Sequence, residues 1–332
     1  MTTALITGIG GFVGSYLAEH LLAETQWDIA GTLRTGEPLD SLETLGPTIN
    51  HPDSRVTTYD ADITDAGSMA RLVATVAPDY VYHLAAQSFP VASFANPAQT
   101  LETNIIGTLH VLEACRVHCP DAWIQVCSSA EVYGKTKTRA PMDESTPFHP
   151  ASPYSISKIG TDLLGQLYAS YGVNVIVTRM FTHTGPRRGD VFAESTFAKQ
   201  IAMIEAGMIE PPIRVGNLES VRTIADVRDA VRAYRLALTV NPKRGAVYNI
   251  GGVDTLTVGE ILDLLFELSG TRYPVAIDPV RVRAVDADFQ IPDCTRFCKV
   301  TGWEPTIDAR TTLRDLLEYW RARVRRVPVL QR

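Results

Sequence analysis

No apolar run in the 332 residues approaches the roughly 20 that a membrane-spanning helix needs, so no membrane segment is expected. A surplus of basic charge is missing as well. The formal net charge is −6, and nothing advertises a nucleic-acid or anionic-membrane partner, although a local basic site for a phosphorylated substrate fits. The N-terminus carries neither the basic flank nor the cleavage site of a signal peptide, and a cytoplasmic location is expected. Cysteine is scarce: five in all, with Cys115/Cys119 and Cys294/Cys298 each separated by three residues. That spacing differs from a zinc ribbon's, so reduced, mostly buried thiols and no metal are expected. Internal repeats and low-complexity tracts are absent too.

What remains is ordinary globular material, 45% hydrophobic and 20% charged, long enough for a large core. Short apolar runs at Thr3–Thr7, Asp28–Leu33, Arg55–Tyr59, Tyr80–Leu84, Trp123–Cys127 and Asn174–Thr178 read as strands. Helical spacing lies between them: Phe12–Leu22, a segment ending at Val76, the long Pro97–Val117, and Tyr154–Tyr171. This alternation predicts an α/β fold, a Rossmann-type doubly wound parallel sheet. After about Arg179 prolines and glycines break the pattern. Helices are expected at Phe197–Gly207, Asp226–Leu238, Thr257–Leu268 and Thr312–Arg323. The reading is a dinucleotide-binding domain over 1–178 and a smaller, irregular α/β substrate lobe over 179–332, some of whose segments return to the first domain.

Gly8-Ile9-Gly10-Gly11-Phe12-Val13-Gly14 joins the first strand to the first helix. Gly8 permits the tight turn, Gly11 lets backbone approach a pyrophosphate, and Gly14 lets helix and strand pack closely. The amides of Phe12 and Val13 open the helix toward the phosphates. At the end of the second strand, where NAD sites carry an acid, stands Arg34. An arginine there pairs with a 2′-phosphate, so NADP(H) is the expected cofactor. Asp62 and Ile63 follow the third strand, within reach of the adenine. Leu84, Ala85 and Ala86 end the fourth and leave room for the nicotinamide half.

Tyr154 and Lys158 stand four apart on one helical face. A lysine ammonium beside a phenol lowers the phenol's pKa, which suits it to acid–base work and predicts a Tyr154 shifted toward neutrality. The pair follows Ser129 and Glu131, at the carboxyl end of the fifth strand, where ligands bind in such sheets. Ser129 can hydrogen-bond a substrate oxygen. Glu131 can act as a second acid–base group or anchor a sugar hydroxyl.

The runs TGIGGFVG, HLAAQS, SSAEVYG, SPYSISK and the closing TGWEP span nearly the whole chain. In them the sequence resembles the extended short-chain dehydrogenases/reductases that act on nucleotide sugars. The resemblance implies a catalytic set of Ser129, Tyr154 and Lys158, and a homodimer joined through a four-helix interface of Pro97–Val117 and Tyr154–Tyr171. Thr182-His183-Thr184-Gly185-Pro186, Phe197-Ala198-Lys199-Gln200-Ile201, Val215-Gly216-Asn217-Leu218-Glu219 and the Gly11–Gly14 turn resemble GDP-4-keto-6-deoxy-mannose reductases. Pro186-Arg187-Arg188-Gly189 resembles the GDP-mannose 4,6-dehydratases, whose base corresponds to Glu131. Thr182 and Thr223 replace the family's usual Asn and Asp, and Ala130 lacks the hydroxyl or acid that dehydratases carry beside the base.

A nucleoside diphosphate needs cations. The resemblance implies Ser88, Thr182, Arg187, Arg188, Lys199, Arg222, Arg283 and Asp286 as substrate-binding residues, with Asp286 on the nucleotide ribose. The expected reaction is NADP(H)-dependent reduction of the 4-keto group of a GDP-4-keto-6-deoxy-hexose, with a GDP-sugar 4,6-dehydratase as the alternative. A 4-epimerase and a non-catalytic dinucleotide sensor on the same fold complete the readings.

Overall fold

The computed structural model describes residues 2–36, 40–46, 49–135, 139–282 and 289–326. The first half runs β1 (Thr3–Thr7), α1 (Phe12–Glu24), β2 (Asp28–Leu33), β3 (Val56–Asp60), α2 (Ala66–Val76), β4 (Tyr80–His83), α3 (Pro90–Ala95), α4 (Pro97–Leu101), α5 (Gly107–His118), β5 (Trp123–Ser129), α6 (Pro153–Ser170) and β6 (Asn174–Met180). The second half continues with β7 (His183–Thr184), α7 (Ala193–Glu205), β8 (Ile213–Val215), β9 (Val221–Asp226), α8 (Val227–Thr239), β10 (Val247–Ile250), β11 (Asp254–Thr257), α9 (Val258–Ser269), β12 (Val275–Ile277), β13 (Phe289–Gln290), α10 (Thr295–Thr301) and α11 (Ala309–Arg326).

A seven-stranded parallel sheet in the order β10-β6-β5-β4-β1-β2-β3 forms the frame. Successive side chains on a strand face opposite ways. Ala4 and Ile6 therefore enter the core under α1 and α8, while Leu5 enters the core under α2, α5 and α6. Strand order reverses between β1 and β4. The carboxyl ends of strands flanking such a switch point are where ligands enter doubly wound sheets.

Two features were not foreseen from the sequence. The seventh strand, β10, comes from the second half of the chain, and all four of its residues are buried. The predicted Pro97–Val117 helix is helical, but its middle widens into a π turn at Glu102–Ile106. A π turn offsets the side chains that follow it, and such turns concentrate at functional sites.

The rest of the second half builds its own core. Helices α7, α9 and α11 pack around Phe197, Ile201, Leu262, Leu313 and Leu317, beside the β11-β9-β13 sheet and the β12-β8 pair. Among the described residues no helix is long and apolar enough to cross a membrane, and no three His, Cys, Asp or Glu side chains gather as a metal site.

Candidate active site

The glycine turn is built around backbone contact. Gly8 sits at φ +73°, in the left-handed region, and a Cβ there would lie 3.1 Å from the Ala85 Cα. A Cβ on Gly14 would lie 2.2 Å from the Gly8 carbonyl oxygen. Gly11 caps α1 without any side-chain bond to the first amides, so the helix N-terminus stays open to an anion. These three positions fit a dinucleotide pyrophosphate. The turn is tied to β4 through the Thr7 hydroxyl, which accepts from the amides of Leu84 and Ala85, each at 3.1 Å. The small Ala85 thus serves close packing against Gly8. Arg34 is exposed at the end of β2. Asp62 is exposed and accepts from the Thr64 amide and hydroxyl at 2.8 Å, while Ile63 is buried against α5.

Behind the turn, His83 is fully enclosed. One ring nitrogen lies 2.9 Å from the Thr7 hydroxyl and the other 3.0 Å from the Thr108 hydroxyl. Burial, helped by the Lys158 charge, pushes its pKa down to about 3, so the ring is neutral. Because Thr7 already accepts two amides, its proton goes to His83 Nδ1 and the ring donates through Nε2 to Thr108. Thr108 donates in turn to the Asn104 carbonyl at 2.5 Å. Asn104, at the π turn, also donates from Nδ2 to the Ser157 hydroxyl at 2.8 Å and to the Gln87 carbonyl at 2.9 Å. A buried hydrogen-bond chain therefore runs from β1 to α6. Sequence reading missed Asn104; a polar residue inside an apolar helical run was the available signal.

Helix α6 opens with a reciprocal capping box between Ser152 and Ser155, which fixes the first turn carrying Tyr154. The Tyr154 amide also donates to Ser93 Oγ of α3 at 3.1 Å. Ser129 ends β5, and its hydroxyl accepts from the Glu131 amide at 3.2 Å. The structure thus brings Ser129, Tyr154 and Lys158 together, with Glu131 on the short turn beside them. It differs from expectation in the electrostatics. Burial pushes the Tyr154 phenol well up, against the Ser129 hydrogen bond and the Arg188 charge, which pull it down. Burial lowers Lys158, whose Nζ donates to the Cys127 carbonyl at 2.7 Å. In this arrangement desolvation outweighs any lysine effect, so the expected shift toward neutrality is corrected.

The Pro186–Gly189 loop divides its two arginines. Arg187, at φ +71°, turns away from the sheet toward α1. It grips both Glu19 carboxylate oxygens at 2.8 Å, donates to Ser15 Oγ and the Ser41 carbonyl at 3.0 Å, and lies 4.0 Å over the Tyr16 ring. Its donors are committed inside the chain, which corrects the expectation of a diphosphate contact. Arg188 turns inward between the rings of Phe192 and Phe12, 3.3 and 5.3 Å away. His183 stacks on Phe12 with ring centroids 5.9 Å apart. Burial and the Arg188 charge push His183 down to about 3. Tyr234 of α8 and Cys127 meet at 3.3 Å on the same side. Phe12 was read as a turn residue; its ring contacts, like His183 and Tyr234, were not.

Other predicted residues scatter around this centre. Ser88 is exposed beyond β4, and Thr182 is half-buried, its carbonyl accepting from the Ala225 amide. Arg222 is half-buried on β9 and donates to the Val221 carbonyl at 2.9 Å. Lys199 pairs with Asp190 at 2.5 Å and lies over the Trp320 ring. Arg283 and Asp286 lie outside the described residues.

A phosphate-ready glycine turn and a Ser/Tyr/Lys set at the carboxyl ends of a doubly wound sheet define the extended short-chain dehydrogenases/reductases. Residues 5–316 match the family described as GDP-mannose 4,6 dehydratase, and the chain belongs to that family. It is 31% identical to the GDP-6-deoxy-D-mannose reductase of Pseudomonas aeruginosa, over 96% of this chain and 97% of that one. It is 30% identical to a GDP-mannose 4,6-dehydratase of Vibrio cholerae, over 95% and 92%. Among solved structures, RMD from Pseudomonas aeruginosa complexed with NADPH superposes with a TM-score of 0.83 at 29% identity, over 97% of this chain and all of that one.

Proposed function

We propose that the protein is an NADP(H)-dependent reductase of the 4-keto group of a GDP-4-keto-6-deoxy-hexose. The observation that carries this reading is Ala130, which is 3% exposed and packs with Val132, Tyr133, Met142 and Phe181 between Ser129 and Glu131. Carbonyl reduction needs a hydride and one proton donor at the carbonyl oxygen. Loss of water across C5 and C6 also needs a base at C5 and a proton donor for the departing hydroxyl. Ser129, Tyr154 and Lys158 meet the first requirement. For the second, Glu131 has only a buried methyl group beside it. Glu131 itself favours the alternative, a GDP-mannose 4,6-dehydratase. The names of the relatives include both activities.

When bound, NADPH supplies the hydride. The Gly8–Gly14 turn, with the amides of Phe12 and Val13, holds the pyrophosphate, and Arg34 takes the 2′-phosphate. Asp62 and Ile63 border the adenine, and Leu84, Ala85 and Ala86 border the nicotinamide half. Lys158 holds the ribose. Ser129 orients the substrate oxygen, and Tyr154 gives it a proton. Ser88, Thr182, Arg188, Lys199 and Arg222 bind the sugar nucleotide, together with Arg283 and Asp286. The decisive test offers GDP-4-keto-6-deoxy-mannose with NADPH and, separately, GDP-mannose alone. NADPH loss with the keto sugar only is expected; a keto product from GDP-mannose without added NADPH establishes the alternative.

We also infer a cytoplasmic homodimer. Ile156, Leu163 and Leu167 form an apolar stripe at helical spacing along the outer face of α6, and Tyr171 continues it just past the helix end, each between 44% and 65% exposed. Ile106 and Val117 extend it along the neighbouring helical rod. Leu163→Asp is expected to halve the particle mass in light scattering; an unchanged mass removes this interface.

A further inference from the structure

The opening amides of α6 divide between the helix's own cap and a second element. Pro153 has no N–H to place. The Ser155 amide goes to the Ser152 hydroxyl at 3.0 Å, and the Ile156 amide goes to the Ser152 carbonyl at 3.1 Å. Of these residues Tyr154 alone donates to another element, its amide reaching Ser93 Oγ of α3 at 3.1 Å. Ser93 is fully buried. Its own proton goes to the Pro90 carbonyl at 2.6 Å, which turns a lone pair of the hydroxyl toward Tyr154. α3 packs on α6 and buries Pro90 and Ser93, while Val91 and Phe94 stay exposed.

The other end of the same segment is fixed as well. The Asn104 side chain accepts from the Gln87 amide at 2.8 Å and donates to the Gln87 carbonyl at 2.9 Å. The Gln87 side chain closes on Phe89, accepting from its amide at 2.9 Å and donating to its carbonyl at 3.1 Å. The Phe89 carbonyl accepts the Ser93 amide at 3.2 Å. Ser88, a proposed contact of the sugar nucleotide, lies between the two clamps. Asn104 also holds Ser157, whose hydroxyl donates to the Tyr154 carbonyl at 2.7 Å. The backbone of Tyr154 is therefore held on both sides by buried serine hydroxyls, and both lead back to segment 87–93.

We propose that Ser93 is a positioning residue for the reaction: it holds the first turn of α6 so that the Tyr154 phenol stands where a sugar nucleotide on segment 87–93 presents its carbonyl oxygen. This deepens the proposed reading and rests on it. Without the hydroxyl, a buried amide loses its partner and the turn settles elsewhere. A displacement of about 1 Å at a reacting group costs roughly 100-fold in rate.

Ser93→Ala is expected to lower kcat for 4-keto reduction by roughly 100-fold, while NADPH affinity and the KM for the keto sugar keep their wild-type values. The isotope effect on kcat with NADPH deuterated at the transferring position should rise, as the chemical step becomes limiting. A lower melting point with kcat unchanged assigns Ser93 to stability alone and overturns the proposal. The stricter comparison uses single turnovers in Tyr154→Phe. With no phenol to place, adding Ser93→Ala should cost nothing further; an equal fall in both backgrounds overturns the proposal. Should Ser93→Ala fail to fold, Ser93→Cys, close in size and a weak acceptor, carries the same measurements. If the wild type dehydrates GDP-mannose instead, the reductase reading falls, and the same comparison on that reaction decides the role of Ser93, because Tyr154 takes the 4-hydroxyl proton there. Wild-type protein inert toward both sugars removes the functional reading and this proposal with it.

Discussion

Gly14→Ala is the sharpest perturbation of the cofactor turn. The new Cβ would stand 2.2 Å from the Gly8 carbonyl oxygen, 2.9 Å from the Ile9 Cα and 3.0 Å from the Gly8 carbonyl carbon. All three are backbone atoms, so no side chain can swing aside. Ordinary contact is about 3.5 Å, so α1 and the turn must separate by about 1 Å. Overpacking of this kind costs about 1–3 kcal/mol, of which the better helix propensity of alanine returns about 1 kcal/mol. With only backbone able to give way, the cost lies at the upper end of that range or beyond it, and stability falls. Phosphate binding suffers more, because the amides at the start of α1 retreat from their acceptors. Each charge-assisted hydrogen bond is worth about 1.5–3 kcal/mol, so losing one weakens NADPH binding by roughly 10- to 100-fold. Gly11→Ala places its Cβ 3.2 Å from the same oxygen and serves as the milder comparison. Calorimetric titration of NADPH alongside thermal melting reads both effects. Unchanged affinity in a folded Gly14→Ala protein would refute the placement of the pyrophosphate.

His83 and His183 are each held near pKa 3 by burial, so both stay neutral in the folded chain. Below about pH 6.5 the unfolded chain takes up protons that the folded chain refuses, and stability falls toward pH 3 by about 1.4 kcal/mol per unit for each ring. Denaturant midpoints should drop between pH 7 and pH 5, less so in His183→Asn; equal midpoints contradict the buried neutral rings. Asp162, fully buried, holds Arg179 through two hydrogen bonds of 2.8 and 3.1 Å. Asp162→Asn leaves the guanidinium uncompensated and should cost about 3–5 kcal/mol, seen as a melting point lower by about 10 °C. Glu19→Gln weakens the Arg187 clamp between α1 and the Pro186–Gly189 loop and should lower the melting temperature; an unchanged melting temperature argues that the clamp adds nothing to the folded chain.

Much of the frame was legible because its signals are local. The glycine turn, the Tyr154–Lys158 spacing and the short apolar runs such as Thr3–Thr7 each act within a few residues. β10 was missed because Val247–Ile250 is a four-residue buried run without alternation, and only its pairing with β6 makes it a strand. The two arginines of the Pro186–Gly189 loop are chemically identical in sequence. Their separation into an anchor and an inward cation depends on Glu19, more than 160 residues away, and on the left-handed backbone at Arg187. The direction of the Tyr154 shift was misjudged for a similar reason: the Tyr–Lys spacing is local, but burial and the Cys127 carbonyl that holds Lys158 are tertiary. Asn104 showed only as a polar residue in an apolar helical run, and the π turn that sets its place leaves no mark in apolar periodicity.

The proposed reaction rests on hydride delivery to a sugar-nucleotide ketone at the Ser129/Tyr154/Lys158 set. It is tested most directly with NADPH deuterated at the transferring position and GDP-4-keto-6-deoxy-mannose. One deuterium is expected at C4 of the product sugar, in equal amount to the NADPH consumed, and its loss in Tyr154→Phe. Deuterium that stays on the cofactor would contradict it, as would GDP-mannose converted to a keto sugar with no net consumption of NADPH.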